Sequence, residues 1–159
     1  MSTGLALFTA FHTILSILAL LSGVLVIRGL ITRNPSDKWT KFFLTTAIAT
    51  SITGFFFPFH GMTPAIGVGV IALIVLVVSL ATWRSRERAG FGSATFIVSL
   101  VFSEYFLAFV GVAQAFTKIS FLHALAPTLK EPPFGVAQAV VFFIFVALAI
   151  VGLRHRTKA

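Results

Sequence analysis

The chain has no cysteine and only four acidic residues among 159. The missing cysteine excludes disulfides, thiolate metal sites and redox-active thiol pairs. The shortage of charge is more decisive. Charged residues make up 10 % of the sequence, against about a quarter in a soluble domain. Of the four carboxylates, Asp37 and Glu87 sit among basic residues, which leaves little for catalysis by a carboxylate pair. A Gly-rich phosphate loop, a nucleophile elbow and a zinc-protease helix signature are all missing from the sequence. It therefore points away from an enzyme.

What is present is apolar. Hydrophobic residues reach 58 %, nineteen of the residues are Phe, and the mean hydropathy is +1.04, values that fit a bilayer better than water. The formal charge of +8 would suggest nucleic acid in a soluble protein. Here the Lys and Arg residues are confined to short segments between apolar runs, where they act as orientation signals, so no nucleic-acid partner is expected. The N-terminus lacks the basic flank and cleavage site of a signal peptide and opens a run that reads as a retained helix.

Five apolar segments predict an all-α, polytopic transmembrane bundle in a single domain covering 1–159, with spans at about 5–31, 41–57, 65–83, 91–116 and 134–153 and an outer linker at 117–133. Asn34 and Pro35 end the first. Hydroxyls crowd the second (Thr45, Thr46, Thr50, Ser51, Thr53), which suits a helix inside the bundle. The third is a near-continuous run of Val, Ile, Leu and Ala, as expected of a lipid-facing helix. The fourth is the most polar of the long spans, with Ser99, Ser103, Glu104, Tyr105 and Gln114. Arg28, Arg33, Lys38 and Lys41 follow the first span, three Arg the third, and Arg154, Arg156 and Lys158 the fifth. Basic residues are retained on the cytoplasmic side, so this parity predicts the N-terminus outside and the C-terminus inside, with Lys118 and Lys130 outside.

Ionisable groups inside a bilayer cost roughly 2.5–3.5 kcal/mol at mid-helix and are default functional candidates. His12 and Glu104 are the clear ones. His12 shares a small or polar stripe with Thr9, Ser16, Ala19 and Gly23, and Glu104 begins another with Ala108, Gly111 and Ala115; two such stripes can pack together. Rise per residue puts His12 roughly 10 Å below the outer surface and Glu104 nearer the midplane. These readings predict an outward-facing polar pocket or ion path of His12, Ser16, Thr50, Thr53, Glu104 and Gln114. Glu104 reads equally as a proton or cation relay and as a structural acid bonded to hydroxyls of the second helix or to Tyr105. Gln114 and Gln138 read as interhelical hydrogen-bond partners. The topology also places His12, His60 and His123 toward one side, a candidate set for a transition metal or haem iron that Glu104 or Glu131 would complete or tune.

The outer linker is unexpectedly apolar, and a short interfacial helix ending near Ala126, before Pro127, would lid that end of the bundle. The stretches TSITGFFFPFHG (Thr50 to Gly61) and LAPTLKEPPF (Leu125 to Phe134) resemble segments of a family of small bacterial polytopic inner-membrane proteins. That resemblance implies a bacterial inner-membrane setting and no particular activity. Three functions remain open: an accessory or assembly protein that binds a membrane partner or a second copy, a proton- or ion-linked transporter or channel using Glu104, and a His-based haem or metal redox protein.

Overall fold

The structure, a computed structural model, describes residues 3–58, 64–88 and 90–156. His60 and Lys158 lie outside the described residues. In hydrocarbon a backbone has no hydrogen-bond partner but itself, so long apolar runs close their bonds within helices. Among the described residues the chain forms α1 (Thr3–Ile31), α2 (Asp37–Gly54), α3 (Pro64–Ala81), α4 (Phe91–Lys118), α5 (Ser120–Leu125) and α6 (Pro132–Arg156), with one 3-10 turn at Trp83–Ser85 and no strand.

Among these, three helices are long and apolar enough to cross a membrane: Thr3–Ile31, Phe91–Lys118 and Pro132–His155. The other two long helices differ for physical reasons. Each has 18 residues, about 27 Å at 1.5 Å per residue, barely the thickness of a hydrocarbon core. Helix α2 also carries Asp37, Lys38 and Lys41 in its first turns and several hydroxyls beyond them. Length and apolarity therefore single out three helices where segment counting expects five.

The helix ends follow local chemistry. At the end of α1, Arg33 takes a left-handed backbone (φ 56°) and the Asn34 N–H donates to the Gly29 carbonyl at 2.9 Å, so the chain doubles back. Ser36 then caps α2, accepting from the Trp39 N–H at 3.5 Å. Helix α4 is entered through Gly90 at φ 125°, a conformation that a side chain would strain. Helix α6 starts on Pro132, whose missing N–H costs nothing at a first helical position. The turn between α5 and α6 contains Pro127, and the Glu131 carboxylate just before α6 accepts from the Thr128 hydroxyl at 2.9 Å and the Lys130 N–H at 3.1 Å.

The packing is a ring. Helix α1 lies along α2, α2 against α3, α3 against α4, α4 against α6 and α6 back against α1, while α1 and α4 also touch across the middle. The main core draws Ala19 and Val26 from α1, Phe43, Leu44 and Ala47 from α2, Leu76 from α3, and Phe96 and Leu100 from α4. A smaller cluster joins Ile27, Val101 and Ala149 of α1, α4 and α6. Lipid tails are as apolar as leucine, so close contact rather than hydrophobic transfer holds such helices together. Accordingly small residues, Ala19, Ser22, Gly23 and Gly29, make up most of the buried face of α1, beside Val26 and Ile27. Helix α6 is the least covered of the three long apolar helices: 11 % of its most apolar stretch is buried, against 39 % for α4.

Candidate functional site

The residues expected to share one pocket divide into separate places. The first lies between α1 and α2. The Thr53 hydroxyl has one proton, which it donates to its own helix at the Ala49 carbonyl, 2.7 Å away. The His12 Nδ1, 2.9 Å from the same oxygen, is therefore the donor in that pair, and in the neutral ring Nε2 keeps its lone pair. Phe57 meets the imidazole edge-on, with centroids 5.0 Å apart. The ring lies close along α2 at Gly54, where a Cβ would stand at ordinary contact distance, 3.7 Å, from His12 Cε1. Ser16 is not part of this bond, because its hydroxyl donates to the His12 carbonyl at 2.7 Å.

Glu104 occupies the second place, on α4. It is 1 % exposed, and no hydrogen bond reaches its Oε2. The expected partners, a hydroxyl of α2 or Tyr105, do not engage it. Successive helical residues point about 100° apart, so Tyr105 turns instead into the rings of Phe142 and Phe145 on α6, at 5.7 and 5.9 Å. The Glu104 carboxyl lies directly on Gly23 of α1, so close that a Cβ at position 23 would overlap Oε2 and Cδ. The two stripes thus meet at Gly23 and Glu104. His12 is eleven positions back along α1, about 16 Å, which separates the imidazole from the carboxyl.

Thr50 is buried and its hydroxyl has no hydrogen-bond partner. Gln114 is exposed on the surface of α4, outside any interior pocket. Ten residues past Glu104 a helix has turned well off the stripe, which accounts for the difference. Gln138 does bridge helices, donating from Nε2 to the Phe109 carbonyl at 3.0 Å. Ser79 and Ser99 join α3 to α4 at 2.9 Å.

His123 is exposed on α5, a helix that packs on α4, and His60 lies outside the described residues. Among the described residues no three His, Cys, Asp or Glu side chains come together as a metal-holding group.

A third arrangement lies at the end of the bundle where the basic loops meet, and the sequence reading passed it over. Arg86, after α3, makes two contacts with Asp37 at the start of α2, Nη2 to Oδ2 at 2.6 Å and Nε to Oδ1 at 3.3 Å. It also reaches Glu87 at 2.9 Å and lies 4.2 Å from the Trp83 ring centre. Lys41 of α2 approaches the same ring at 5.9 Å. The available signal was the Ser36–Asp37 helix start, whose carboxylate follows one basic loop and faces another.

Two grooves open on the flank. One, about 420 Å³, runs between α3 and α4 and is almost wholly apolar, lined by Val75, Val78, Thr95, Val98, Phe102 and Phe106 among others. Phe91 at its rim is 88 % exposed. The other, about 560 Å³, lies between α2 and the end of α3.

Fold and site together define, among the described residues, a helical protein with three helices long and apolar enough to cross a membrane, isolated polar groups in its interior and grooves on its side. Compared with known proteins, the chain matches no family model, no curated protein and no solved structure.

Proposed function

We propose that this chain is a five-span bacterial inner-membrane protein, N-terminus outside and C-terminus in the cytoplasm, that acts as an accessory or assembly subunit by seating a transmembrane helix of a partner protein against its flank. The observation that carries this reading is the apolar groove between α3 and α4. It lies between two helices, its lining is almost wholly apolar, and its Phe91, Phe102 and Phe106 rings are the kind of large apolar surface that anchors an interface. Five spans are supported by the ring of helices, in which α2 and α3 lie alongside α1 and α4. The orientation is supported by the meeting of basic segments at one end: Arg86 beside Asp37 joins two of the loops, and Gly152 near the end of α6 lies against Ile97 near the start of α4.

The test is photo-crosslinking in native membranes, with a benzophenone side chain at Thr95 or Phe102 in the groove and at Ile144 on the exposed face of α6. Groove positions are expected to give one discrete adduct and Ile144 none. A smear at all three positions, or no adduct, removes the reading. An adduct of twice the monomer mass makes the partner a second copy.

A second reading, a proton- or ion-linked pathway, is favoured by the unpartnered Glu104 Oε2 and Thr50 Oγ1. Its test is flux in reconstituted vesicles. Glu104→Gln should abolish it, and surviving flux would take away the main residue.

A further inference from the structure

We propose that the groove between α2 and the end of α3 is a binding site for an anionic phospholipid, with the phosphate held by Lys41 and Arg84 and one acyl chain lying along Ile48 and Leu80.

The groove, about 560 Å³, is lined at one end by Lys41, Thr45, Trp83 and Arg84 and continues between apolar side chains of α2 and α3. Two cations with a hydroxyl above an apolar slot reproduce in reverse the layout of a phospholipid, whose charged head sits above its tails. Trp83 marks the depth, since an amphipathic ring of this kind prefers the level of the headgroups.

The charge balance at this end makes the cations available. Of the four carboxylates in the chain, Glu104 is buried against α1 and Glu131 is engaged in the turn before α6. The remaining two, Asp37 and Glu87, both pair with Arg86. No carboxylate pairs with Lys41 or Arg84 among the described residues. Arg86 thereby holds both local acids away from the groove, whose own charged side chains, Lys41 and Arg84, are cations. A zwitterionic lipid brings its own cation to the same place, so the site should discriminate by net headgroup charge.

The experiment uses the full chain purified in dodecyl maltoside. Dioleoylphosphatidylglycerol, dioleoylphosphatidylcholine and inorganic phosphate are titrated separately, with bound lipid read by native mass spectrometry and protection by the thermal unfolding midpoint. Phosphatidylglycerol is expected to bind in one-to-one ratio and to raise the midpoint. A basic residue at a membrane surface is worth about fivefold in affinity, so Lys41→Gln and Arg84→Gln should each weaken binding about fivefold and together about 30-fold. Arg88→Gln, exposed and outside the groove, should change it less than twofold. Ile48→Trp, which fills the apolar slot without altering charge, should also weaken binding, and this variant separates a seated lipid from a diffuse cloud of counter-ions. Equal binding of the two lipids overturns the proposal, as does equal protection by inorganic phosphate. Unchanged binding in the folded double variant, judged by circular dichroism, overturns it too.

Discussion

Replacing Gly23 with alanine places a methyl group where the Glu104 carboxyl lies, and the consequence can be worked from the packing. Forcing an extra carbon into a filled site costs about 1–3 kcal/mol. Alanine in place of glycine returns about 0.5–1 kcal/mol of helix stability. The single substitution should therefore destabilise by about 1–2 kcal/mol. The decisive quantity is the coupling. With Glu104→Ala already present the methyl has room, and Gly23→Ala should become neutral or stabilising by up to about 1 kcal/mol. The double-mutant cycle is expected to give a coupling of about 1–3 kcal/mol, in the range found for residues in contact. Glu104→Gln keeps the shape and removes the ionisable proton, so in that background the penalty for Gly23→Ala should persist. Unfolding in mixed dodecyl maltoside and dodecyl sulfate micelles, followed by far-ultraviolet circular dichroism, measures all six proteins of the two cycles. If Gly23→Ala and Glu104→Ala add within about 0.5 kcal/mol, the carboxyl does not rest on Gly23.

Thr53→Val removes the acceptor of the His12 Nδ1–H, so the neutral ring should redistribute between tautomers, visible in nitrogen-15 NMR, with a stability loss of about 1 kcal/mol; an unchanged tautomer would show that Thr53 does not fix it. At Glu131, outside the spans, desolvation acts to raise the carboxyl's pKa, but hydrogen bonds from the Thr128 hydroxyl and from the backbone N–H groups of Glu131, Thr128 and Lys130 outweigh it and hold the group below its ordinary value. A depressed folded value means that the turn's added stability is present above the ordinary carboxylate range and lost as pH falls through the depressed value. Amide protection factors at Thr128 and Lys130 should fall accordingly in acid, and Glu131→Gln should flatten the profile; a profile unaffected by that change would detach the turn from this carboxyl. Because the chain has no cysteine, single cysteines at Thr32 and Thr128 report orientation. In intact spheroplasts an impermeant maleimide should label position 128 only, and labelling at position 32 would reverse the assigned sidedness.

The helical class and the membrane character were readable from composition and run length, since neither depends on which helices touch. The small-residue stripe of α1 was readable too, from the 3–4 spacing of Thr9, His12, Ser16, Ala19 and Gly23. Its register against α4 was not. Rise per residue places His12 and Glu104 by depth alone, whereas the contact that matters is set by which residue lacks a side chain, and Gly23 takes the carboxyl while His12 faces α2. The bond from His12 to Thr53 was hidden for a related reason: every hydroxyl of α2 can satisfy itself on its own helix, so the sequence offers no sign of which one also accepts. Gln114 was misplaced because a polar residue on a long helix says nothing of its angle unless it is counted against the stripe. Asp37 and Arg86 were seen as neighbours of other charges and not as neighbours of each other.

The seat of Glu104 on Gly23 also bears on how the chain is made. Synthesis delivers α1 long before α4, so the groove left by the missing side chain at position 23 already exists when the helix bearing the carboxyl reaches the bilayer. The contact thus joins an early segment of the polypeptide to a late one, and α4 has its seat on α1 only after the chain between them has been made.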